Sequence, residues 1–143
     1  MGKGTIQTAY HDYIAIYYTG GHGVMWDFPN NPELQQISLT IYNNGGYIVS
    51  VCHGIAGLLN IKDKNGDYLI RNKKITGFTT TEEILSTKKS IVPFLNKDIA
   101  IEHGAIFQKA RAFRSFVVQD GNLITGQNPF STREVAKKLL TNL

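Results

Sequence analysis

A single cysteine, Cys52, lies where an apolar segment gives way to small residues, and His53 follows it directly. The β-prone residues 47–51 before it are typical of a buried strand. Gly54 and Gly57 then permit a tight turn into a helix, because glycine lacks the Cβ that would crowd such a turn. The partial positive charge at a helix N-terminus favours the thiolate form of a cysteine over the thiol. The pattern predicts thiol chemistry, with a buried structural cysteine as the alternative.

Four other residues could complete such a site. His22 lies in a glycine-rich segment, where it either lines a pocket or is an exposed turn residue. Trp26 belongs either to the core or to the mouth of the site. Glu82 and Glu83 offer a carboxylate to orient His53, or else cap the segment that follows them. No group of His, Cys, Asp and Glu has metal-ligand spacing along the chain, so the sequence predicts neither a metal nor a cofactor.

The composition bounds the class of protein. The chain has 143 residues, enough for one domain with its own core, and 42% of them are hydrophobic and 18% charged. Although the net charge is +4, the lysines are scattered, and no basic stripe indicates nucleic-acid binding. No apolar segment is long enough to span a membrane, and no signal sequence is evident. One cysteine excludes an internal disulfide, and we expect a cytoplasmic protein.

The elements around the cysteine predict a parallel β-α-β unit. Residues 13–18 form a continuous apolar run, which is typical of a central strand buried on both faces. Asn31 is a suitable N-cap for a helix that begins at Pro32 and ends near residue 43. The strand over 47–51 follows that helix, so the crossover should be right-handed.

The rest of the chain continues the alternation of strands and helices. A helix is expected over residues 93–103, and Ser131 with Glu134 predicts a capping box at the start of a helix over 132–143. Asp120-Gly121 is typical of a hairpin turn. The sequence therefore predicts one α/β domain, residues 1–143, with a mainly parallel sheet. The remaining strands are expected over 68–70, 74–78, 105–107, 115–119 and 122–126.

Four motifs together resemble the ThiJ/PfpI superfamily of class I glutamine amidotransferase-like proteins. Within it, the chain is similar to the branch of heat-shock chaperones and glutathione-independent glyoxalases (glyoxalase III), often called intracellular protease/amidase. The resemblance implies a flavodoxin-like α/β sandwich. The motifs are residues 20–23 with 26–29, residues 51–54, residues 76–79 with 82–83, and residues 123–129.

The resemblance also implies roles for individual residues. Cys52 would be the nucleophile at the turn and His53 its acid-base partner. Glu83 would orient His53, with Glu82 as the alternate. The backbone N–H groups of Gly21 and His53 would form an oxyanion hole, in agreement with the needs of a thiol nucleophile.

The chain departs from the family at its start. Full-length relatives begin with a further strand, helix and strand, and carry there a glutamate that hydrogen-bonds the cysteine sulfur. Here Asp12 is the only acidic residue before Asp27. The expectation is an N-terminally truncated member with weak or absent activity. The strand at 13–18 would then lack a neighbour, which predicts a homo-oligomer, a complementing N-terminal chain or aggregation.

The implied activity is conversion of a small 2-oxoaldehyde, methylglyoxal, to lactate. A non-enzymatic stress chaperone or redox-sensing module is the first alternative, and an intracellular cysteine peptidase or amidase is the second. Glutamine amidotransfer is not favoured, because residues 115–143 lack the histidine that this reaction requires.

Overall fold

The computed structural model describes residues 13–143, so Asp12 lies outside the described residues. Strands and helices alternate along this range. The strands are β1 (Ala15–Tyr18), β2 (Tyr47–Val51), β3 (Lys74–Ile75), β4 (Ile106–Phe107), β5 (Val117–Asp120) and β6 (Leu123–Gly126). The helices are α1 (Val24–Asp27), α2 (Pro32–Asn43), α3 (Thr80–Leu85), α4 (Asn96–Glu102) and α5 (Thr132–Asn142), with 3₁₀ segments at Cys52–Gly57 and Pro129–Ser131.

The main sheet has the order β1-β2-β6-β5. β2 runs parallel to both β1 and β6, and the β5-β6 hairpin is antiparallel. The prediction of an α/β fold with a mainly parallel sheet is confirmed. Among the described strands, β1 pairs only with β2, so the predicted central strand is an edge strand within residues 13–143.

Helices cover both faces of this sheet. Ile48 packs in a cluster that includes Leu34 of α2, whereas the next residue, Val49, packs against Val135 of α5. Successive residues of a strand point to opposite faces, so α2 and α5 lie on opposite sides of β2. This three-layer arrangement is the predicted sandwich. No helix within residues 13–143 has the length and apolar character required to cross a membrane.

Two of the predicted strands differ most from the structure. Residues 68–70 contribute only an isolated bridge between Lys62 and Tyr68. The segment predicted as a strand over 74–78 pairs only at Lys74–Ile75, with β4, in a separate two-stranded sheet. Beyond it, the Thr76 N–H donates to the Thr125 hydroxyl, and the Phe78 N–H donates to the Cys52 carbonyl. The chain thus leaves the small sheet and runs beside the cysteine.

The helix starts agree with the sequence only in part. The Asn31 side chain caps α2, as predicted. The predicted capping box at Ser131 is wrong, because Ser131 ends a 3₁₀ segment and its hydroxyl bonds Phe116 and Asn128 instead. The helix predicted over 93–103 spans only Asn96–Glu102.

Candidate active site

Cys52 occupies a strained turn at the carboxyl end of β2. Its φ is 59°, in the left-handed region that a residue with a Cβ seldom adopts. The 3₁₀ segment Cys52–Gly57 begins directly after the strand. Backbone strain of this kind costs free energy and is concentrated at functional sites. The turn projects the thiol from the end of a buried strand, although a 3₁₀ segment replaces the expected α-helix.

A hydrogen-bonded relay joins Cys52, His53 and Glu83. The Cys52 Sγ lies 3.2 Å from His53 Nδ1, and His53 Nε2 lies 3.0 Å from Glu83 Oε1. All three residues are buried, with at most 5% of each exposed. Because a carboxylate oxygen accepts, His53 donates from Nε2, which leaves Nδ1 free to accept the thiol proton. The relay therefore holds His53 in the tautomer that a general base requires.

The glycine-rich segment passes close to the sulfur. The backbone N–H groups of His53 and Gly21 are close enough to the Cys52 side chain to lower the pKa of its thiol. Gly21 has a φ of 110°, which favours glycine. A Cβ on Gly20 would lie 3.1 Å from the Cys52 Cβ, so the backbone approaches the thiol closely. These two N–H groups are the pair expected from the sequence to form the oxyanion hole.

Glu82 is buried beside Glu83 but contacts different groups. Its Oε1 accepts from the backbone N–H and the hydroxyl of Thr79, and its Oε2 accepts from the Phe113 N–H and the Asn128 amide. With Thr79 it forms the capping box of α3. The geometry therefore assigns Glu82 to the framework and places Glu83 against His53.

His22 is part of the cluster, and Trp26 is not. The His22 Nε2 lies 3.1 Å from the same Glu83 oxygen that meets His53. Trp26 is 55% exposed on α1, away from the relay's hydrogen bonds. Phe78, which sequence reasoning did not single out, packs its ring 4.1 Å from the His53 ring, between centroids. The sequence could have pointed to Phe78, because it lies within the motif at residues 76–79.

Three titratable side chains lie close together at this site. His22, His53 and Glu83 are widely separated in sequence, but their ligand atoms all lie within 4.8 Å of one another. Spacing along the chain could not reveal this group, because its members follow three different strands.

The environment of Cys52 favours the thiol, contrary to the expectation from a helix N-terminus. The pKa of Cys52 is raised to about 12, and burial is the largest cause. The N–H groups of His53 and Gly21 lower this pKa, but their effect is smaller than that of burial. The charges of Glu82 and Glu83 raise it further.

This raised pKa predicts how alkylation of Cys52 depends on pH. Iodoacetamide reacts with the thiolate, and below the pKa the thiolate fraction rises about tenfold per pH unit. We expect the rate to keep rising between pH 7 and pH 10, measured by mass spectrometry. A free cysteine, with a pKa of about 8.5, would level off in that range. A plateau at or below pH 7 would contradict the prediction and favour the stabilised thiolate expected from sequence.

The comparisons with known proteins identify the family. Residues 4–142 match the model of the DJ-1/PfpI family, and the chain belongs to this family. It is 37% identical over 136 residues to glyoxalase 3 of Candida albicans, covering 91% of this chain and 58% of that protein. It is 36% identical over 138 residues to the glutathione-independent glyoxalase HSP31 of Saccharomyces cerevisiae, covering 92% of this chain and 58% of that protein.

Solved structures agree with the fold. The X-ray structure of the Francisella tularensis Rapid Encystment Protein of 24 kDa superposes with a TM-score of 0.91 at 42% identity, covering 92% of this chain and 59% of that one. The chain therefore spans less than two thirds of the length of each of these three proteins.

Proposed function

We propose that this chain acts on small 2-oxoaldehydes such as methylglyoxal, by glutathione-independent glyoxalase chemistry in which Cys52 is the nucleophile. The observation that carries the proposal is the relay from the Cys52 thiol through His53 to Glu83, with separations of 3.2 Å and 3.0 Å. The names of the two similar glyoxalases support the substrate class.

The first step is addition of the thiol to the aldehyde carbon. As the S–C bond forms, the thiol proton passes to His53 Nδ1, and the carbonyl oxygen becomes an alkoxide. The N–H groups of Gly21 and His53 are suited to stabilise this negative charge. Glu83 stabilises the imidazolium that forms. Return of the proton from His53 to the alkoxide gives a hemithioacetal.

The second step isomerises the adduct. A base removes the hydrogen on the carbon bonded to sulfur, and an enediol forms with the neighbouring ketone carbon. Protonation of that second carbon yields a 2-hydroxy thioester. Water then cleaves the S–C bond, which releases lactate from methylglyoxal and restores the thiol. We assign the movement of these protons to His53, whose Nδ1 lies 3.2 Å from the sulfur.

Slow turnover is expected from the surroundings of the sulfur. Within residues 13–143, the Cys52 sulfur hydrogen-bonds His53 Nδ1, and no carboxyl group hydrogen-bonds it. Because the pKa of the thiol is about 12, addition depends on proton transfer to His53 rather than on a standing thiolate.

The test is lactate formation from methylglyoxal without glutathione, by wild type and Cys52→Ala. We expect slow lactate formation that depends on enzyme concentration in the wild type and none in the variant. Equal rates in both proteins, or no lactate from either at high enzyme concentration, would contradict the proposal. Circular dichroism of the variant provides the control for folding.

A holding chaperone is the second candidate, because large apolar side chains are exposed beside the β1 edge. Tyr13 and Ile14 are 61% and 60% exposed. Suppression of aggregation that persists in Cys52→Ala would favour this function. The redox-sensing alternative is less well supported, because oxidation proceeds through the thiolate, which burial disfavours here. The peptidase alternative and the oligomer stay predictions.

A further inference from the structure

Three potential ligand atoms converge on the side of His53 that faces away from the thiol. The Nε2 atoms of His22 and His53 lie 3.1 Å and 3.0 Å from the same Glu83 oxygen, Oε1. The two imidazole rings are adjacent, with their centroids 4.0 Å apart. If Glu83 only oriented His53, contact with one histidine nitrogen would be enough. The contact with His22 therefore requires a separate explanation.

The charge of this group is not balanced by a basic side chain. Among the ion pairs within residues 13–143, Glu83 meets the two histidines and no lysine or arginine. Its second oxygen, Oε2, is buried without a hydrogen-bond partner. The neighbouring Glu82 adds a second buried carboxylate close to the site. Burying a carboxylate charge without a balancing cation is costly, and a bound cation would neutralise that charge.

The donor set selects a class of cation. Two imidazoles and one carboxylate suit Zn²⁺ and similar first-row ions, whereas Mg²⁺ and Ca²⁺ prefer sites made of oxygen ligands. Ligands bound about 2.1 Å from a tetrahedral Zn²⁺ lie about 3.4 Å from one another. The two nitrogen-to-oxygen separations here are 3.1 Å and 3.0 Å, and all three ligand atoms lie within 4.8 Å of one another. The His22 side chain is 32% exposed, which gives an ion a path from solvent.

We propose that His22, His53 and Glu83 form a binding site for one divalent cation of the Zn²⁺ type, which inhibits the thiol centre when it is filled. The inhibition rests on the proposed function. A neutral histidine that binds a cation through Nε2 carries its proton on Nδ1. Binding therefore moves the His53 proton from Nε2 to Nδ1 by exchange with water. Nδ1 can then no longer accept the Cys52 proton.

Binding is tested with Zn²⁺ by calorimetry and with Co²⁺ by visible absorption, in the absence of substrate. We expect one ion per chain, at least tenfold weaker binding in His22→Ala, and unchanged binding in Cys52→Ser. His103→Ala is the matched control, because the His103 ring stacks on Tyr68 away from this cluster. Binding that survives His22→Ala but is lost in Cys52→Ser would place the cation on the sulfur and overturn the proposal.

Inhibition is read from alkylation of Cys52, which requires no turnover. We expect Zn²⁺ at about ten times the wild-type Kd to slow alkylation by iodoacetamide about tenfold in the wild type, and no more than about twofold in His22→Ala at the same concentration, because a tenfold weaker site is at most half filled there. Equal slowing in both proteins would contradict the proposed site. Since neither measurement uses a 2-oxoaldehyde, failure of the glyoxalase proposal would leave these results interpretable. Glu83→Gln, checked for folding, is a second variant in which binding should weaken.

Discussion

Replacing Gly54 by alanine should destabilise the protein by at least about 3 kcal/mol, the upper end of the usual cost of overpacking. A Cβ at this position would lie 2.2 Å from the Tyr18 carbonyl oxygen and 2.7 Å from the Thr19 carbonyl oxygen. Neither atom can rotate away, because both belong to the backbone at the end of β1. The turn that carries Cys52 would have to separate from that strand.

The matched control is Gly23→Ala. No atom lies within 4 Å of a Cβ built at Gly23, and its φ of −58° suits any residue. We expect its free energy of unfolding to change by no more than about 0.5 kcal/mol. Urea unfolding of both variants measures the difference. If Gly54→Ala were as stable as Gly23→Ala, the close packing of the turn against β1 would be wrong.

The substitutions Glu83→Gln and Glu82→Gln should affect different properties: the first the rate of lactate formation, the second the stability of the fold. Glu83→Gln keeps an oxygen for His53 but removes the charge that stabilises its protonated ring. We expect lactate formation to fall on the order of 100-fold, with little loss of stability. Glu82→Gln replaces one oxygen that accepts two hydrogen bonds with an amide that donates. We expect it to destabilise the protein by about 2 kcal/mol or more.

Measuring both turnover and urea unfolding for each variant separates the two roles. Glu82→Gln is assayed only under conditions in which circular dichroism shows that it is folded. Any change in its rate of lactate formation then reflects the chemistry and not unfolding. The assignment of Glu83 to His53 would be contradicted if Glu83→Gln kept full activity while folded Glu82→Gln lost it.

The sequence predicts Cys52 and His53 as the centre of the candidate site because they are adjacent and follow a clear strand. Choosing between Glu82 and Glu83 from sequence alone had no physical basis beyond the resemblance, since both follow the same motif. The structure supplies the reason for the difference. Thr79 is the N-cap of α3 and binds Glu82 in a capping box, which directs Glu82 back towards the helix start. The next residue then points towards His53.

Other features depend on long-range packing. The high pKa of Cys52 arises from burial, which a motif does not report. His22 reaches Glu83 across 61 positions of sequence, so no local pattern could pair them. The strand expected over 74–78 is short because Thr76 and Phe78 donate their N–H groups to the main sheet and to Cys52 instead of to a neighbouring strand. Propensity alone does not foresee such tertiary partners.

Addition of the Cys52 thiol to the aldehyde carbon of a 2-oxoaldehyde is the central claim. The most direct test is ¹³C NMR of methylglyoxal labelled at the aldehyde carbon, mixed with stoichiometric wild type or Cys52→Ala without glutathione. We predict that the label appears as a sulfur-bound hemithioacetal carbon, and later as the lactate carboxyl carbon, only with the wild type. Identical spectra from the two proteins would contradict the claim.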